Sequence, residues 1–147
     1  VFVPGKVLEK NGKVVEIIED TVYVALSVFD PFEGTAGKWV LTKDPGGVLR
    51  HELSHALDMA IGKEGELYSS GLHFSKRYQE DYKRLLELDL SELEVLESIG
   101  LIDKSDSARE LFAQVMGSRL GGCSFPTREQ TIKKGFENVW KHIHGEE

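Results

Sequence analysis

The chain has 147 residues, 25 acidic against 18 basic side chains, and a net charge of −7. That length reads as one domain, 1–147, with a sizeable core, and the acidic balance speaks against a nucleic-acid partner held through its phosphates. No apolar run reaches membrane-span length, and a lone cysteine, Cys123, leaves no internal disulfide and no cysteine pair for a metal.

The opening residues Val1-Phe2-Val3-Pro4 lack an initiator methionine. The chain is therefore expected to be a fragment or processed product of a longer one, with any targeting segment out of view. Lys6–Lys10 and Lys13–Ile18 flank Asn11-Gly12, a two-residue hairpin signal. Thr21–Phe29 is rich in β-branched and aromatic residues and reads as a buried strand. Asp30-Pro31-Phe32-Glu33-Gly34 is a turn, and Lys38–Thr42 a short strand. Asp44-Pro45 is a helix start, a capping residue followed by proline at the first helical position. Gly62 is its stop.

Within that helix stands His51-Glu52-Leu53-Ser54-His55, an H-E-x-x-H motif. At about 100° per residue the two histidines lie about 40° apart, one turn along a single face, so both imidazoles can reach one metal ion. Glu52 lies one residue round from His51, where a carboxylate can take a proton from a metal-held water. Leu49, Leu53, Ala56, Leu57 and Ala60 fall within about 60° of the opposite direction. The helix is thus expected to pack through that apolar face and to present His51, His55 and Asp58 on the other. Asp58 is expected to orient the site, either bonded to a ligand imidazole or tying the helix to the rest of the domain.

Catalytic zinc keeps three protein ligands and a water. No histidine follows His55 at short spacing, so the third ligand must come from a later element. Glu64–Gly71 is a polar loop. Leu72–Leu88 is an amphipathic helix, and Ser91-Glu92-Leu93-Glu94 opens another that ends at Gly100. Glu110 is the best third-ligand candidate. It lies on a helix beginning near Ser107, with Gln114 and Gly117 near its face and Phe112, Val115 and Met116 on the far side. Gly117 leaves room beside the carboxylate. The competing reading makes Ser107 and Glu110 a capping box with no metal role. A last helix opens at Thr127 and carries one apolar stripe of Ile132, Phe136, Trp140 and Ile143. His142 and His144 lie at its end and are expected to be solvated.

His51-Glu-Leu-Ser-His55-Ala-Leu-Asp58, followed by Glu110-Leu-Phe-Ala-Gln114, resembles the catalytic domain of the anthrax toxin lethal factor family. These are gluzincin metallopeptidases related to the Pro-Pro endopeptidases. The resemblance implies zinc on His51, His55 and Glu110, Glu52 as general base, and Asp58 and Gln114 supporting the ligands. Gln114 stands where the family has a second glutamate. It also implies a peptide or protein substrate, which the strand over the metal can bind by edge pairing; Lys38–Thr42 or the loop before it is that candidate, Lys38–Thr42 being otherwise an ordinary strand. A toxin-type, secreted or delivered effector is implied as well. The family carries a tyrosine seven residues before the ligand glutamate, to stabilise the oxyanion. Asp103 holds that position here, so the donor is expected from the segment Tyr68–Tyr82, with His73 and Tyr68 ahead of Tyr78 and Tyr82.

The expected fold is α+β: a zincin-like domain with a small N-terminal sheet, an active-site helix and a C-terminal helical lobe. The expected activity is zinc-dependent endopeptidase hydrolysis with Glu52 as base. Two alternatives stay open. One is a zinc-binding docking domain of toxin type with little or no turnover. The other is a regulatory gluzincin cleaving a bacterial repressor; there the ligand glutamate falls five residues before the later phenylalanine, a position that Ser107 occupies here.

Overall fold

The computed structural model describes residues 2–18, 21–22, 45–63, 65–121 and 126–147. Asn11 and Gly12 both take left-handed backbone, with φ of 54° and 73°, the two positive angles a tight hairpin turn requires. They join β2, Lys6–Lys10, to β3, Lys13–Ile18, antiparallel, with a register shift between Leu8 and Glu9. β1, Phe2–Val3, pairs separately with β4, Thr21–Val22, through Phe2↔Val22 and Val3↔Thr21.

Among the described residues these two short pairs form separate two-stranded sheets. The expected α+β fold with an N-terminal sheet is therefore corrected: the described chain is mostly helical. The physical reason is that a two-stranded ribbon offers too little area to build a layer, and the core cluster among the described residues is built from the helices and the turns between them. The strand expected beyond Val22, the turn at 30–34, the strand over 38–42, Asp44 and Cys123 lie outside the described residues.

The active-motif helix, α1, spans Pro45–Ile61. It stops at Gly62, where a Cβ would fall 1.8 Å from the Glu66 carbonyl oxygen; only glycine lets the following loop close so tightly. A 3-10 turn, Tyr68–Ser70, leads into α2, Leu72–Lys83. The helix expected over 72–88 ends at Lys83, because Arg84, Glu87 and Leu88 donate to carbonyls three residues back and tighten the chain into a second 3-10 turn, Leu85–Glu87.

α3 spans Leu90–Ser98. Its cap is Asp89, which accepts the Glu92 N–H at 2.8 Å, two residues ahead of the expected Ser91. α4 spans Ser107–Gly121. The expected single last helix is divided into α5, Pro126–Gly135, and α6, Glu137–His144. The break is a tertiary cap: the buried Asp81 carboxylate of α2 accepts N–H groups from Asn138 at 3.2 Å and Val139 at 2.9 Å, satisfying donors that a helix start leaves open.

The core is one cluster under these helices, with Phe74, Leu96, Leu111, Phe112, Ile132 and Phe136 fully buried. Each such side chain stabilises the fold by roughly 1.5–3 kcal/mol. The stripe of Ile132, Phe136, Trp140 and Ile143 is buried along its whole length, across the break. α1 packs chiefly on α4 and is touched from elsewhere by β1, β4 and the Tyr68–Ser70 turn.

Candidate metal centre

One turn of α1 separates His51 from His55, and their rings meet edge to face with centroids 4.9 Å apart. α4 brings Glu110 between them. His51 Nε2 lies 3.2 Å from Glu110 Oε2, and His55 Nε2 lies 3.3 Å from Glu110 Oε1. Burial pushes the Glu110 carboxyl up, but bonds and charge from the two imidazoles outweigh it and hold the group well below the ordinary carboxylate range.

The competing capping box does not form. The Ser107 hydroxyl accepts the Lys104 N–H at 3.0 Å, and the Glu110 carboxylate goes to the histidines. Gly117 lies against α1, where a Cβ would meet the His51 backbone at 3.7 Å. That is ordinary contact, so the room a glycine leaves is not needed for a methyl group.

The expected burial of α1 is reversed. Leu49 and Leu53 are 43% and 42% exposed and Ala60 is exposed, with Ala56 and Leu57 half-buried. The polar face is the covered one: His51 is 6% exposed and His55 5%, with Ser54 and Asp58 fully buried. This is possible because, His51 Nδ1 apart, the polar groups on that face have partners. Ser54 Oγ donates to the Arg50 carbonyl at 2.7 Å, the imidazoles meet Glu110, and Asp58 has Ser69.

Asp58 does not bond an imidazole. It ties α1 to the 3-10 turn, accepting the Ser69 N–H at 2.7 Å and the Ser69 hydroxyl at 2.6 Å. Burial still leaves its carboxyl raised, with those bonds opposing. Gln114 is buried on α4 one turn beyond Glu110. Glu52 is half-buried, and its Oε2 accepts the backbone N–H of Phe2 at 2.8 Å.

The expected oxyanion donors are placed elsewhere. The Tyr68 hydroxyl pairs with His142 Nε2, and its ring sits among Phe74, Phe112 and His142. His142 is thus a partner inside the fold and not a solvated end residue, and His144 stacks on Trp140. Tyr82 donates to Asp103 at 3.1 Å, and Tyr78 is a buried ring stacked on Phe136. His73 is exposed beside Lys76, Arg77 and Glu80. The reason is that the segment 68–82 is spent on core packing and on contacts with α6.

Sequence reasoning passed over two side chains. Arg109 points Nε at His55 Nδ1 from 3.5 Å, and Ser69 supplies both bonds to Asp58. Arg109 could have been noticed from its place beside Glu110; nothing in the sequence marks Ser69.

Ligand atoms of His51, His55 and Glu110 all lie within 4.8 Å of one another, and the group can hold a metal ion. The donor set fits. Two imidazoles and one carboxylate are the donor types that zinc takes. His51 Nδ1 is buried with no hydrogen-bond partner, so the ring's polar commitment runs through Nε2 alone. No helix among the described residues is long and apolar enough to cross a membrane. No family model matches the chain, and neither a curated protein nor a solved structure matches it.

Proposed function

We propose that the protein is a zinc-dependent endopeptidase of gluzincin type, similar to the lethal factor family, acting on a peptide or protein substrate as a secreted or delivered effector. The observation that carries the reading is the convergence of two helices on one group: the ligand atoms of His51, His55 and Glu110 all lie within 4.8 Å of one another, with the two Nε2 atoms 3.2 and 3.3 Å from the two Glu110 oxygens.

Zinc held by His51, His55 and Glu110 would supply Lewis acidity to a scissile carbonyl and to a water. Glu52, one residue along α1 from His51, would take the proton from that water and pass it to the leaving amine. Asp58 and Ser69 hold α1 against the following turn, and α4 holds Glu110 toward the histidines. No side-chain nucleophile is required.

A second reading has its own support. The Tyr68 and Tyr82 hydroxyls are committed to His142 and Asp103, which favours a zinc-binding docking domain with little turnover. Cleavage of a peptide library, read by mass spectrometry with and without chelator, separates the two. Elemental analysis should find close to one zinc per chain, lost in His55→Ala. Zinc retained by His55→Ala refutes the ligand set, and zinc binding without any cleavage leaves the docking reading.

A further inference from the structure

β1 lies against α1 at Glu52. Phe2 donates its backbone N–H to Glu52 Oε2 at 2.8 Å, and its side chain is 8% exposed. The same two residues run antiparallel to β4, through Phe2↔Val22 and Val3↔Thr21, and both strands touch α1. The arrangement has an extended main chain, ladder bonds to a neighbouring strand, a buried apolar side chain and an amide on Glu52. An extended peptide added to a strand edge is held in the same way.

β1 is also weakly held. Among the described residues two pair in register, and Pro4 follows with no N–H to extend the ladder. Short segments with few pairings open at small cost.

We propose that the place between β4 and α1 is a binding site for an extended peptide bearing a bulky apolar side chain, and that β1 fills it as an internal competitor. As a substrate site it rests on the reading of Glu52 as a peptidase base; as a peptide-binding site it does not. The Phe2 amide occupies a Glu52 oxygen that proton transfer needs, so the filled state is the idle one. An incoming peptide displaces β1 and sets its own apolar residue in the Phe2 position.

The test uses the full chain, Phe2→Ala and Phe2→Leu, with a fluorescein-labelled peptide of the Val1–Lys6 sequence followed by anisotropy. Phe2→Ala loses the competitor's anchor and should bind the peptide about tenfold or more tighter than the parent, since apparent affinity falls with the fraction of competent state. Phe2→Leu keeps a smaller apolar anchor and should fall between. A control peptide with aspartate at the Phe2 position should not bind. Amide hydrogens of Thr21 and Val22 should exchange faster in Phe2→Ala and regain protection when peptide is added. Equal affinity for parent and both variants, or equal binding of the control peptide, overturns the proposal; should Phe2→Ala fail to fold, the parent and Phe2→Leu comparison decides by the same criteria. Turnover of a cleavable peptide on the same samples keeps the two ideas apart. Peptide binding without turnover retains the site and removes the hydrolase reading. Turnover indifferent to the Val1–Lys6 peptide and to Phe2 removes the site and retains the hydrolase.

Discussion

Asp58→Ala should be far more costly than Asp58→Asn, although both remove the charge. The fully buried carboxylate accepts two bonds from Ser69, at 2.7 Å from the N–H and 2.6 Å from the hydroxyl, and Ser69 is itself buried. Alanine leaves both donors without a partner. At about 1–3 kcal/mol for each orphaned buried donor, the loss is about 2–6 kcal/mol. For a chain of this length that lowers the melting temperature by about 4–24 °C. Asparagine keeps an acceptor for the Ser69 N–H, and its amide can donate to the Ser69 hydroxyl, which turns to accept. It also relieves the burial of charge that raises Asp58, so the net change should stay within about 1 kcal/mol. Urea unfolding of metal-free protein, followed by circular dichroism, measures both without ligand linkage. A double-mutant cycle with Ser69→Ala should show coupling of at least about 1 kcal/mol. Equal losses for alanine and asparagine, or additive effects with Ser69→Ala, would refute the argument.

Glu52→Gln should keep the fold and the metal while lowering turnover by about a hundred- to ten-thousandfold, because an amide cannot take the proton; undiminished turnover with full zinc content would assign the base elsewhere. Gly117→Ala should be neutral or stabilise by up to about 1 kcal/mol, since the added Cβ makes only ordinary contact at 3.7 Å and glycine is a poor helix former. Gly62→Ala should destabilise clearly, since its Cβ would lie 1.8 Å from a backbone oxygen, and thermal melts of the pair decide whether those contacts matter as described. In metal-free protein the half-buried Glu110 and the buried Asp58 should pull stability in opposite directions with pH. Glu110 is depressed, so its contribution is present above its ordinary value of 4.5 and is lost as pH falls through the folded value. Asp58 is raised, so its contribution is present below 3.8 and is lost as pH rises through the folded value. Urea midpoints of parent, Glu110→Gln and Asp58→Asn across acidic pH should show these two slopes, and the same slope in both difference curves would contradict the burial argument.

Whatever depends on one turn of chain was legible from the sequence. The spacing of His51 and His55 sets their imidazoles together because a helix repeats every 3.6 residues, whatever surrounds it. Asn11-Gly12 sets a hairpin because its two positive φ angles are cheap for those residues, and Gly62 ends a helix where the chain four residues on comes back too close for a side chain. Glu110 was within reach as a candidate, but spacing left its carboxylate divided between a cap and a metal. Only the approach of α4 to α1 sends it to the histidines. Burial of the polar face of α1 was not legible, because a helical wheel ranks faces by side-chain type and cannot see partners that satisfy them from Ser69 and Glu110. The break at Phe136 was hidden for the same reason, its cause being a carboxylate from Asp81, more than fifty residues earlier. Tyr68 bonding His142 and Phe2 bonding Glu52 are likewise contacts between distant segments. Periodicity settles which side chains share a face; packing between elements far apart in the chain decides what that face meets, and with it which groups are free to do chemistry.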